Sequence, residues 1–363
     1  MLAIMNIGKY SSSGTVPSGS DLFTISANQS LGQAIDFYAR KGNTILGLPY
    51  MQNVIYRSTD GGATWSTVSM SYYVSHILYS PAKDKFYAVE LGDENLPATL
   101  HYGMSDDGLT WTWETLYTNS TDKIHYYGTF VEEINNEIAF DLLKVDGITS
   151  TASHIRVFTD NTEELIGSTY SLGFGTDKNV YPYITYRHNK TKNSVVFESW
   201  YISGTSGSQL KPVSIGSWGV EVEGKWGTGT GAYSEGNKCF DKFYHSTATT
   251  SSSNITYQYQ YSETSRENTY SAYNKTVTIA NGYNKIYGFF QLGNYFYMAY
   301  QRYSNMNTVW YRAGDVNSLI DVLAGDTFNK ADLTGVPVSE YSIDSKHFLL
   351  SMADGKVYLC EAT

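Results

Sequence analysis

A pair of short strand-like runs joined by a polar turn recurs along the whole chain, and no other feature restricts its fold so tightly. The unit reads IDFYARKGNTILGL from Ile35, HILYSPAKDKFYAVEL from His76 and GTFVEEINNEIAFDLL from Gly128. It returns as YITYRHNKTKNSVVFESW from Tyr183, YGFFQLGNYFYMAY from Tyr287 and EYSIDSKHFLLSM from Glu340. A weaker copy begins at Cys239. Corresponding positions Tyr38, Tyr79, Phe130, Tyr186, Tyr244, Phe290 and Ser342 lie 41 to 58 residues apart.

A repeat of that length, rich in Val, Ile, Tyr, Phe and Thr, cannot bury its apolar faces alone and must stack on its neighbours. The expectation is an all-β chain forming a single β-propeller of four-stranded blades over residues 1–363. Seven copies predict seven blades across 31–363, with six as the alternative because the copy at Cys239 is poor. The last repeat ends three strands into its blade, after KVYLCEAT. Residues 1–10 are therefore expected to supply the missing strand and close the ring. Helical periodicity is confined to 316–326, where Asn317 could cap a short turn before Gly325.

Composition excludes several functions. Charged residues are 17% of the chain, against about a quarter in ordinary soluble domains. Polarity comes instead from hydroxyl and amide groups, as in STATTSSSNITYQYQYSETS. A net charge of −10 without a basic stripe argues against a nucleic-acid partner. No apolar run reaches the roughly 18 residues of a membrane span. The opening MLAIMNIGKYSSSG lacks the pattern of a signal peptide. Cys239 and Cys360 have no metal-ligand spacing, and His76 and His125 make only a weak pair, so neither metal nor cofactor is expected.

Two turns carry a denser signal, YRSTDGGATWSTV from Tyr56 and YGMSDDGLTWTWETL from Tyr102. Ser58, Asp60, Gly62, Thr64 and Trp65 resemble the Asp-box pattern S-x-D-x-G-x-T-W of BNR repeats in sialidase-like propellers. The second copy keeps Asp106, Gly108, Thr110 and Trp111, with Met104 at the first Ser. Weaker remnants retain Asp160, and Tyr311, Arg312 and Asp315. A short carboxylate accepting nearby N–H groups, a glycine at positive φ and an indole folded over the loop form a brace. Asp60 and Asp106 are expected to be structural rather than catalytic.

The resemblance implies an active site built from an arginine cluster, an acid/base Asp and a Tyr–Glu pair. The Arg-Ile-Pro segment that introduces the family's arginines is absent, and the seven arginines are scattered at 40, 57, 156, 187, 266, 302 and 312. Asp93 and Glu94 in GDENLP, with Arg302, are the weak catalytic candidates; Glu132 and Glu133 form a second acidic pair. No catalytic residue is assigned.

Tyrosines recur where the chain passes from an outer strand to the next inner one: Tyr72, Tyr73, Tyr126, Tyr127, Tyr181, Tyr183, Tyr283 and Tyr287. Such phenols suit either a sugar or protein ligand at the channel mouth, or wedging between blades. An uncharged, hydroxyl-rich surface without an export signal points to virion proteins, and the chain resembles propellers of tailed-phage particles. The expected function is a non-enzymatic structural or recognition component of a tail nozzle, adsorption device or capsid attachment. It would contact other virion proteins or surface glycans, as a homo-oligomeric ring or array without membrane insertion. Its location is the virion, extracellular after synthesis in the host cytoplasm. A sialidase-like glycoside hydrolase and a glycan-binding lectin are the alternatives.

Overall fold

The computed structural model describes residues 23–49, 52–92, 99–118, 124–146, 151–160, 162–165, 333 and 337–362. It also describes the strands at 170–171, 183–189, 194–203, 207–215, 221–223, 233–234, 243–251, 254–262, 275–280, 283–292, 295–302 and 308–313, by placement alone. Within these residues every paired strand is antiparallel and no helix occurs. The helical turn expected at 316–326 and the closing strand expected at 1–10 lie outside them.

The strand that joins the two ends of the chain is β1, Phe23–Ser30. It pairs with Lys356–Ala362 in the register Phe23↔Ala362 to Ser30↔Lys356, through a bulge between Ile25 and Ala27. The other edge of Lys356–Ala362 holds His347–Met352, which in turn holds Pro337–Ser342. Both edges are thus occupied, and the place expected for residues 1–10 belongs to β1 instead. FTISANQS alternates buried and exposed positions, as a half-covered strand must. Phe23 anchors it, edge-on to Phe348 with ring centroids 5.3 Å apart.

The next seven strands are β2 (Phe37–Lys41), β3 (Thr44–Leu48), β4 (Gln52–Ser58), β5 (Ser66–Ser80), β6 (Lys85–Glu90), β7 (Thr99–Ser105) and β8 (Thr112–Thr118). They form one hydrogen-bonded sheet that divides into two blades at β5. Residues 66–69 of β5 pair with β4 as an outer strand, and residues 74–80 pair with β6 as the next inner strand. The sequence explains the change. STVSMS alternates polar and apolar residues and is half exposed, whereas VSHI is buried on both faces.

The third blade contains β9 (Ile124–Ile134), β10 (Glu137–Asp146), β11 (Thr151–Phe158) and β12 (Glu163–Leu165). Its β9–β10 hairpin turns on Asn135 and Asn136, both at positive φ (52° and 67°), the two-residue geometry that matches strand twist. Further along, strands Tyr183–Asn189, Ser194–Ser203, Gly207–Ile215 and Glu221–Glu223 make one sheet. Tyr233–Ser234, Phe243–Ser251, Asn254–Ser262 and Lys275–Ala280 make another, and Tyr283–Leu292, Tyr295–Arg302 and Thr308–Ala313 a third.

The core lies between blades rather than inside any one of them. Along β6, Phe86 and Ala88 point toward the first blade, while Tyr87 and Val89 point into a cluster with Val131, Phe140 and Leu142 of the third. Along β3, Ile45 meets Leu349 and Val357, while Leu46 and Leu48 face the second blade. Period-two alternation thus supplies both faces of each sheet to different neighbours.

One contact repeats at equivalent places. A Cβ on Gly62, in the β4–β5 turn, would sit 2.6 Å from Leu349 Cδ2 on the second strand of the last blade. A Cβ on Gly108, in the β7–β8 turn, would sit 2.6 Å from Leu46 Cδ2 on the second strand of the first blade. Each glycine is a seat for a leucine of the preceding blade. Gly61 has a similar positive φ but open space beside it.

Gly61→Ala should therefore cost about 1–2 kcal/mol from backbone strain alone. Gly62→Ala should add about 1–3 kcal/mol of overpacking, read as a lower urea midpoint. Combined with Leu349→Ala, Gly62→Ala should be less damaging than the two changes summed; strict additivity would refute the seat.

Candidate functional site

The first aromatic turn is closed by a chain of short bonds. Ser58 Oγ donates to Asp60 Oδ1 (2.8 Å) and accepts from the Gly62 N–H (2.8 Å). Asp60 Oδ1 accepts from the Thr64 N–H at 2.9 Å, and Oδ2 from the Thr64 hydroxyl. Trp65 Nε1 donates to the Gly62 carbonyl at 3.0 Å, and its indole is buried. Gln29 of β1 bonds both the N–H (2.8 Å) and carbonyl (3.0 Å) of Trp65 with its side-chain amide. The closing strand is thereby tied to the turn. Burial alone would raise the Asp60 pKa, but the hydrogen bonds from Thr64 and Ser58 outweigh it and hold the carboxyl below its usual value. An ionised, fully engaged carboxylate is a brace and not a proton donor.

The second turn uses a different aspartate from the one its spacing suggested. Ser105 Oγ donates to Asp107 Oδ1 (3.2 Å) and accepts from the Gly108 N–H (2.8 Å). Asp107 Oδ1 takes the N–H groups of Leu109 (2.8 Å) and Thr110 (3.0 Å). Those bonds, the one from Thr110 first, hold its pKa down. Asp106, expected in this role, is highly exposed and pairs with Lys85 at 3.1 Å. The turn is one residue shorter than the first, which moves the carboxylate one place toward the glycine. Ser105-x-Asp107 repeats Ser58-x-Asp60, a signal that counting back from Thr110 and Trp111 misses. Trp111 Nε1 is buried without a partner, the shorter loop supplying no equivalent of the Gly62 carbonyl. Asp160 closes a smaller turn by accepting from the Thr162 N–H (2.9 Å) and hydroxyl (2.6 Å). Asp315 lies outside the described residues.

The three arginines with described side chains tie strands and blades together. Arg40 Nη1 donates to the Ile343 carbonyl of the last blade, and Arg57 Nε to the Asp107 carbonyl of the second (2.8 Å). Arg156 holds Asp141 by Nε (2.8 Å) and Nη2 (3.1 Å), and also reaches Glu132. Two carboxylates therefore share one guanidinium inside the third blade, with Asp141 1% exposed. Burial, then the Asp141 charge, push the Glu132 carboxyl up to about 8. Burial likewise raises Asp141, against the pull of Arg156. Neighbouring Glu133 points to the opposite face and accepts from Ser80 Oγ of the second blade. Tyr102 donates to Glu114, but burial raises its pKa, the reverse of what a phenolate nucleophile needs.

Asp93 and Glu94 lie outside the described residues; Arg302 ends a strand opposite Tyr283, and its side chain is outside them. Among the described residues no group of three or more His, Cys, Asp or Glu is arranged for a metal. His76 instead stands edge-on to Phe37, ring centroids 5.2 Å apart.

The tyrosines divide. Tyr126 is 4% exposed, with its ring 3.9 Å from that of Tyr117 in the core between the second and third blades. The wedge reading holds for Tyr126, and the ligand-surface expectation is corrected there. Tyr73 is 56% exposed. Tyr72 is half-buried, stacked on His101 (4.3 Å, 13°) and edge-on to Trp113 (4.9 Å, 69°). Glu90 Oε2 accepts from both the main-chain N–H and Nδ1 of His101, each at 2.8 Å. Sequence reading found Tyr72 but missed His101, Glu90 and Trp113, because nothing in their spacing shows that β6, β7 and β8 bring them together. Tyr181 is outside the described residues, as are the side chains of Tyr127, Tyr183, Tyr283 and Tyr287.

No family model and no curated protein matches the chain. Solved structures do. YCF48 bound to a D1 peptide matches with a TM-score of 0.55 at 9% identity, over 95% of this chain and 98% of that one. A luciferin-regenerating enzyme matches with a TM-score of 0.40 at 8% identity, over 92% and 95%. The WD40 domain of SCAP from fission yeast matches at 0.37 and 8%, over 94% and 98%. With its successive antiparallel sheets and the YCF48 match over nearly the whole chain, the chain is a β-propeller.

Asp107→Ala should lower stability by about 0.5–2 kcal/mol in urea unfolding and Asp106→Ala by under about 0.5 kcal/mol; the reverse order would restore the spacing-based assignment. Glu132 binds its proton more tightly folded (about 8) than unfolded (4.5). That stabilisation is complete below the unfolded value and is lost as pH climbs through the folded one. The urea midpoint should fall between about pH 5 and pH 8, and Glu132→Gln should flatten the fall.

Proposed function

We propose that the protein is a non-catalytic recognition component of a virus particle, a propeller of seven four-stranded blades. In this reading the two braced turns are Asp-boxes of BNR-type repeats, kept for blade packing. The observation that carries it is how the described charged groups are used. Asp60 and Asp107 close turns, Arg40 and Arg57 tie blades, and Asp141 and Glu132 are held by Arg156 across the strands of one sheet. What faces solvent at the first-to-second blade crossing is aromatic and hydroxyl-bearing, suited to contact rather than chemistry. A chain with 17% charged residues fits an assembled particle surface read by proteins or glycans. The YCF48 structure, a complex with a D1 peptide, is an example of a propeller engaging a peptide.

Quantitative mass spectrometry of gradient-purified particles should find the chain at a constant copy ratio to the capsid protein. Purified chain should release no aglycone from fluorogenic glycosides. Absence from particles would refute the virion assignment, and saturable turnover would refute the non-catalytic one.

A further inference from the structure

Four strands of the second blade bring four side chains to one place. Tyr72 comes from β5, Glu90 from the end of β6, His101 from the start of β7 and Trp113 from β8. Glu90, His101 and Trp113 occupy the face of the blade turned toward the first, alongside Phe86 and Ala88 in the alternation of the sheet.

The polar atoms here are arranged in an unusual way. Glu90 Oε2 takes both N–H groups on one side of His101, so Nδ1 carries a proton, and in the neutral imidazole Nε2 is the acceptor. The stacked Tyr72 ring fixes the plane of the imidazole. His101 Nε2, the Tyr72 hydroxyl and Trp113 Nε1 make no hydrogen bond within the described residues. None of the three is among the fully buried unpartnered atoms, and each side chain is half-buried rather than enclosed. One fixed acceptor and two donors thus border two aromatic rings on rigid strands.

We infer that Tyr72, His101 and Trp113 form a subsite for a neutral pyranose ring of a surface glycan. A sugar ring offers an apolar C–H face to stack on an aromatic side chain. Its rim of hydroxyls can both donate to an imidazole nitrogen and accept from a phenol or indole. Among the described residues the cluster contains no lysine or arginine, and its one carboxylate is Glu90, so an acidic sugar is disfavoured. This inference rests on the recognition reading and specifies one of its contacts.

Saturation-transfer NMR with methyl glycosides of glucose, galactose, N-acetylglucosamine and sialic acid tests it on the full chain. At least one neutral glycoside should bind saturably, and the sialoside should not. Tyr72→Ala should weaken the neutral sugar about tenfold or more, as expected for losing a stacking partner. Tyr72→Phe and His101→Gln, which keep the packing, should each give a smaller loss and guard against misfolding of the alanine variant. Equal binding by all three variants, or no neutral sugar bound, would overturn the subsite. If Tyr72→Ala chains still enter particles at the normal ratio, the platform reading survives that failure. If sugar binds but the chain is absent from particles, the subsite survives and the virion assignment falls.

Discussion

The structure depends on burying both faces of the second strand of each blade whose side chains are described. A single blade leaves Phe86 on one side and Tyr87 on the other with nothing to cover them, so a blade is stable only between two neighbours. Each fully buried aliphatic or aromatic side chain contributes about 1.5–3 kcal/mol, and each described cluster draws its members from neighbouring blades. The turn glycines follow from this requirement. Gly62 and Gly108 lack a Cβ where the leucine of the preceding blade must enter, so the braced turns act as packing devices with a hydrogen-bonded frame.

Closure follows from the same constraint. An open stack would leave one face of the first blade and one of the last in water. Leu349 and Val357 of the last blade instead meet Ile35, Ile45 and Trp65 of the first. Strand β1 makes the joint covalent on one side and hydrogen-bonded on the other, through its ladder with Lys356–Ala362 and the clasp of Gln29 on Trp65. Ser351 Oγ, accepting from the Ile35 N–H at 2.7 Å, completes the seam.

Charge is spent locally. A chain with so few ionic groups places the described ones where they relieve unpaired backbone atoms, as when Arg57 caps the Asp107 carbonyl or Lys41 takes those of Asp84 and Asp106. The Glu132–Asp141–Arg156 group is the exception, a buried cluster in which burial raises both carboxyls against the pull of Arg156. The aromatic cluster around Tyr72 is different again, since the tips of Tyr72 and Trp113 make no hydrogen bond among the described residues.

Strand periodicity, the repeat length and the paired Gly-Trp turns were legible in the sequence, because each is set by neighbours within a few residues. So was the bracing role of Asp60. The choice of Asp107 over Asp106 was not, since a one-residue change in loop length alters which carboxylate reaches the N–H groups. Nor was the closing strand at Phe23–Ser30, whose partner lies more than three hundred residues away. The sequence by itself determined an all-β chain of stacked, repeated sheets. Only the tertiary structure decided which tyrosine is core and which is surface, because Tyr72 and Tyr126 occupy similar crossings and differ in the neighbour that packs against them.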